Sequence, residues 1–207
     1  MSDPELKRAA AQADLCRLLA ACFYQPGPEF GEEDVFGAME IAARDALPAV
    51  VPLVRAMGED FAKQPMQALQ VDYTALFLNP GGALASPYES AWIGGKDPMV
   101  AEQTVQSVMA FYSDAGFTMD AEFRDLPDHI AAELELLYAL VFREARALAG
   151  NDKGDAATAA DLRRRFVRMH LGRWAGDLAG AMRSNAGTVF FRTLADATEH
   201  VVNAARV

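Results

Sequence analysis

An apolar series of helical period runs through residues 130–148, where Ile130, Leu134, Leu137, Val141, Ala145 and Leu148 recur at spacings of three or four. Side chains so spaced share one face of an α-helix, whereas a strand would send them to both faces, so the segment commits to a helix of about five turns closed at Gly150. Similar stripes fill most of the chain. Leu15, Leu18, Leu19, Cys22 and Phe23 define a first helix that opens on a Ser2–Glu5 capping box and stops at Pro26-Gly27-Pro28. Two shorter Ala-rich helices are expected over 32–44 and 46–57, with Pro48 and Pro52 blurring the second boundary. Leu69, Tyr73, Leu76 and Phe77 predict a helix over 65–78 that ends at Asn79-Pro80-Gly81-Gly82.

Asp97-Pro98 supplies an N-cap and a proline at the first helical position, and Val105, Val108, Met109 and Tyr112 carry that helix to Gly116. Leu162, Phe166, His170, Trp174, Leu178 and Met182 form one stripe, with a break into two helices placed near Gly172, and Phe190, Leu194, Ala197 and Val201 mark the last helix. No stretch alternates with period two and no repeat recurs at fixed spacing. The expected fold class is all-α, with about eight to ten helices.

The 207 residues show no abrupt compositional shift, so one helical domain over 1–207 is expected, and an apolar fraction of 52% suffices for a large core. A net charge of −10 repels nucleic-acid phosphate and anionic lipid and favours a cationic partner. The N-terminus has no basic stretch followed by a long apolar run, and no window has the length of a membrane span, which predicts a cytoplasmic protein without membrane insertion. Cys16 and Cys22 fall in the first helix about 9 Å apart in rise, beyond disulfide reach, so free core thiols are expected.

Two regions concentrate chemistry. A loop of about fifteen residues after position 79 carries Pro87, Tyr88, Glu89, Trp92 and Gly94-Gly95-Lys96, a length that in a compact domain tends to mark function. Beyond it, Asp128, His129 and Glu133 cluster where the best-patterned helix begins. On a helix His129 and Glu133 share a side and could bind metal or pass a proton, so a metal-dependent helical hydrolase using Asp128, His129 and Glu133 is one reading. Ligand count opposes it, because a catalytic zinc takes about three protein ligands and His170 and His200 lie in stripes that read as core. The plainer reading puts Asp128 in the first turn, favouring the helix dipole, beside a half-buried structural histidine. A structural helical adaptor is a third. Arg163, Arg164, Arg165 and Arg168 read as a solvated face, and no nucleophile elbow, phosphate loop or dinucleotide fingerprint is present.

Four motifs in order, Tyr73-x-x-Leu76-Phe77, Pro87-Tyr-Glu-Ser90, Leu126-Pro-Asp-His129 with Glu133 and Glu135, and His170-Leu-x-x-Trp174, resemble the TorD/DmsD/NarJ family of cytoplasmic chaperones for molybdenum oxidoreductases. Tyr73 and Tyr88 stand where some members carry Trp. The resemblance implies an all-helical, TorD-like protein without catalytic turnover or bound cofactor. It implies binding of the twin-arginine leader, or the apoprotein, of a molybdopterin enzyme until cofactor insertion is complete. The peptide-binding residues would be Tyr73, Leu76, Phe77, Pro87, Tyr88, Asp128 and His129. Such a leader joins paired guanidinium groups to an apolar segment, so carboxylates from Asp128, Glu133 and Glu89 beside an apolar surface that includes Trp92 would suit it. Members occur as monomers and as dimers, which leaves a homodimer open.

Overall fold

The computed structural model describes residues 3–79, 81–95, 97–118 and 125–207; Ser2 of the expected capping box, Pro80 and Lys96 lie outside them. Among the described residues the regular structure is helical: α1 (Asp3–Ala21), α2 (Glu29–Glu32), α3 (Val35–Ala46), α4 (Val51–Lys63), α5 (Met66–Tyr73), α6 (Glu89–Ile93), α7 (Pro98–Asp114), α8 (Ile130–Ala149), α9 (Lys153–Met169), α10 (Leu171–Asn185) and α11 (Val189–Ala204). A 3₁₀ turn over Pro48–Val50 leads into α4, and a π-type turn over Thr74–Leu78 follows α5. The all-α expectation holds. Eleven α-helices exceed the expected eight to ten because α2 and α6, of four and five residues, are too short to show a period.

α8 lies at the centre, packing on α1 and α9, while α11 packs on α10 and α4, and α3 closes against α1 and α4. The buried side chains form one continuous apolar cluster, with Phe23, Phe166, Trp174, Phe190 and Phe191 fully enclosed. Cys16 and Cys22 are free and buried, and burial pushes both thiols up to about 12. Cys22 sits just past α1, in its closing turn.

Local signals account for several boundaries. Asp97 caps α7 by accepting from Met99 N at 2.9 Å, and Gly116, at φ 78°, lets Phe117 N reach back to Tyr112 O at 2.9 Å. The α9/α10 break falls at His170 rather than Gly172. Gly172 serves the crossing instead, since a Cβ there would stand 2.4 Å from Val167 O and 3.0 Å from Val167 Cγ1. Gly172→Ala should therefore cost about 1–3 kcal/mol of stability, read as a lowered urea midpoint with an unchanged slope. An unshifted midpoint would show that α9 and α10 give way freely.

Two surface assignments are corrected. Arg163 is buried, with Nη1 donating to Ala205 O and Val207 O, each at 2.6 Å, and Nε donating to Glu144 at 3.2 Å. It ties α9 to the end of α11 rather than facing solvent with its neighbours. His200, expected in the core, is exposed. It precedes Val201 by one residue on α11, and that step of rotation turns it off the buried stripe.

Candidate functional site

The loop around Pro87 and the start of α8 are stitched together by main-chain bonds. Tyr88 is extended and bridges His129 in antiparallel fashion, Glu89 N donates to Asp128 O at 2.9 Å, and Ile130 N donates to Pro87 O at 2.8 Å. Proline at 87 keeps this piece out of a helix, and its carbonyl remains free to accept. α6 begins at Glu89, and its cap comes from far away in sequence: Asp128 Oδ2 accepts from Ser90 N at 2.9 Å. The N-cap of α8 is His129, whose Nδ1 accepts from Ala131 N at 3.1 Å, so Asp128 lies before the helix rather than in its first turn. With Nδ1 occupied as an acceptor, the ring proton lies on Nε2, which faces Asp125 Oδ2 at 3.9 Å. Burial lowers the His129 pKa, against the opposing pull of Asp125 and Asp128, and keeps the ring neutral.

His129 forms the floor of an aromatic rim. Tyr24 stacks on it at 6.4 Å between ring centres and Tyr88 meets it edge-on at 5.2 Å. Tyr24 donates its hydroxyl to Glu135 at 3.0 Å, and Tyr88 donates to Asp125 at 2.8 Å. Both phenols are pushed well above their ordinary range, first by burial and then by these carboxylates. The Tyr73 phenol, which donates to Phe23 O at 3.4 Å, is also raised, first by burial and then by Asp125. The outer face is open: Tyr24 is 38% and Leu126 49% exposed.

Beneath this rim lies a closed polar cluster. Glu89, Asp128 and Glu133 are fully buried and His170 nearly so. His170 Nδ1 lies 3.1 Å from Glu89 Oε2, and Trp174 Nε1 donates to Glu133 Oε2 at 3.3 Å. Glu133 is held well above the usual carboxylate range by burial and by the adjacent Glu89, against the lowering effect of the Trp174 N–H.

The structure thus brings Pro87, Tyr88 and Glu89 together with Asp128, His129 and Glu133. The carboxylates of Glu89, Asp128 and Glu133 point inward rather than lining an accessible groove. Tyr73, Leu76 and Phe77 are core residues: Tyr73 and Phe77 pack edge-on at 5.2 Å, and Phe77 meets Phe23 at 6.1 Å and Phe191 at 5.8 Å. Trp92 is half-buried and donates its indole N–H to Ser86 O at 2.8 Å. Tyr24, Asp125 and Glu135 are the site residues that spacing did not single out, and only Glu135 stood within a quoted motif. No group of three or more His, Cys, Asp or Glu side chains among the described residues is arranged to hold a metal ion.

A family model described as nitrate reductase delta subunit matches residues 42–180. The perchlorate reductase assembly chaperone protein of Dechloromonas aromatica (strain RCB) is 27% identical over 96% of this chain and 90% of its own length. Chaperone protein YcdY of Escherichia coli (strain K12) is 31% identical over 67% of this chain and 64% of its own. Among solved structures, one from Archaeoglobus fulgidus, described as a redox enzyme maturation protein, superimposes with a TM-score of 0.54 at 20% identity, covering 90% of this chain and 91% of that one. At that identity the likeness speaks for the fold. Motifs that meet at one place in the fold and a family model spanning most of the chain lead to one conclusion: the chain belongs to the nitrate reductase delta subunit family.

Proposed function

We propose that residues 1–207 act as a single cytoplasmic chaperone domain, without catalytic turnover, that holds the twin-arginine leader or the apo form of a molybdenum reductase during its assembly. Relatives named as assembly chaperones for perchlorate and chlorate reductases support the client class. That no helix among the described residues is long and apolar enough to cross a membrane agrees with this placement.

The observation that carries the reading is the rim of Tyr24 and Tyr88 over His129, edged by the exposed acids Asp125 and Glu135 and by Leu126. A guanidinium group pairs with a carboxylate and stacks on an aromatic face, and a leader's apolar segment needs an apolar shelf beside it. Asp125 and Glu135 present the charge at the surface. Asp128, His129, Glu89 and Glu133 set the rim from below, and Tyr73, Leu76 and Phe77 form the packed wall behind it, with Pro87 and Trp92 fixing the loop.

Calorimetric titration of the full chain with the reductase's leader peptide should show saturable binding that weakens about tenfold or more in Tyr88→Ala and in Asp125→Ala, roughly 1.4 kcal/mol each. Replacing both leader arginines by alanine should weaken it similarly. A chain that binds neither a leader nor an apoenzyme, or variants that bind as the parent does, would overturn the proposal.

A further inference from the structure

Glu89 and Glu133 are two fully buried carboxyl groups, bound to His170 and Trp174, which lie one helical turn apart, and each acid bears on the other's charge. Each spends Oε2 on a separate partner, His170 for Glu89 and Trp174 for Glu133. The Oε1 atom of each has no donor. A hydrogen carried on one of two such oxygens gives both a partner.

The surroundings offer no substitute. From the segment before α8, Asp128 adds a further anion, and Asp128 Oδ1 is also without a partner. From the head of α8, His129 is neutral, its Nδ1 taken by Ala131 N. From α7, Tyr112 donates its hydroxyl to Ala132 O at 2.7 Å. From the α9/α10 junction, His170 faces Glu89 and leaves Nε2 unpartnered among the rings of Phe111 and Phe166. From α9, Arg165 is turned to the Phe111 ring, 5.9 Å from its centre. The charged groups that act on Glu133 are therefore the acids Glu89 and Asp128. Like charges this close in a dry site do not both remain ionised without a cation beside them.

We propose that Glu89 and Glu133 hold one shared proton that ties α6 to α8, and that a guanidinium-bearing leader binding over them releases it to solvent. The release rests on the reading of this site as a leader receptor; the shared proton does not. The balance is one proton: the carboxylic acid of Glu133 loses its O–H, buffer takes the proton, and the arriving cation replaces the positive charge. A cation nearby favours the ionised form of the pair, so affinity and proton loss are linked. While the free protein is protonated at this pair and the complex is not, leader affinity rises about tenfold per pH unit.

Two measurements test it. Infrared absorption of the free wild-type protein at neutral pH should contain a buried carboxylic-acid carbonyl band that shifts in D₂O, is missing from Glu133→Gln, and fades on saturation with leader peptide. A folded wild type without the band overturns the shared proton. Calorimetry of the leader titration in phosphate and in Tris should differ by the buffer ionisation heat of about one proton per peptide. Glu133→Gln should bind with no buffer dependence. Binding without proton release overturns the coupling and leaves the receptor reading intact. A band that is present with no leader binding overturns the receptor reading, and the coupling with it.

Discussion

Replacing Asp72 by alanine is expected to lower the unfolding free energy by about 3 kcal/mol, enough to move the urea midpoint substantially in a chain of this size. Asp72 lies at the end of α5, nearly buried, and its carboxylate accepts from Gly187 N at 2.9 Å, Thr188 N at 2.8 Å and Thr188 Oγ1 at 2.7 Å. These donors belong to the turn that starts α11, where main-chain N–H groups have no partner within the helix. Alanine leaves three donors without an acceptor, two of them on buried Thr188, and it removes a negative charge from the positive end of the helix dipole. Asp60 accepts from Phe190 N at 2.9 Å and holds a further donor of that turn, so α11 should loosen at its first turn rather than detach. Asp72→Asn keeps one acceptor oxygen and should lose about half as much. An alanine variant within about 0.5 kcal/mol of the parent would mean that α11 is fixed by its apolar face alone.

Asp72 illustrates what the sequence does and does not disclose. Its neighbours Leu69, Tyr73, Leu76 and Phe77 announce a helix through their spacing, and the structure puts all four in the core. The carboxylate's partners lie 115 and 116 residues away, so no local pattern points to them. The ends of helices divide in the same way. Asp97 caps from within its own segment and is legible. Asp128 reads as a first-turn acid of α8, but its side chain serves Ser90, 38 residues upstream, and His129 caps α8. Glu89 and Glu133 read as carboxylates lining a groove, since isolated carboxylates are costly to bury. Their enclosure depends on each other and on His170 and Trp174, which arrive from α9 and α10. The motifs identified the segments that meet, and the pairing between segments decided which side chains face solvent. Tyr24 shows this most plainly: it lies in the turn that closes α1 and reaches the rim only because α1 packs along α8.

Trp174 should be the most sensitive position beneath the site. It is completely enclosed, and its indole N–H reaches Glu133, so truncation to alanine is expected to cost about 4 kcal/mol in lost burial and cavity, before counting the carboxyl oxygen left without a donor. Trp174→Phe separates the two contributions in large part, because it keeps a six-membered aromatic ring while removing the N–H, and should cost about 1–2 kcal/mol. The phenylalanine variant also carries a signature that a packing defect would not. The Trp174 N–H lowers the Glu133 pKa, so removing it raises that pKa further. Glu133 binds its proton more tightly in the folded chain than unfolded, where the value is near 4.5. Its contribution to stability is therefore full below that value and falls by about 1.4 kcal/mol per pH unit above it, until the folded group ionises. Trp174→Phe should carry this decline to higher pH than the parent, seen by comparing denaturation at a series of pH values with Glu133→Gln as the reference in which the slope is absent. A parallel pH profile for parent and variant would show that Glu133 does not depend on the indole, and that Trp174 supports the rim through its volume alone.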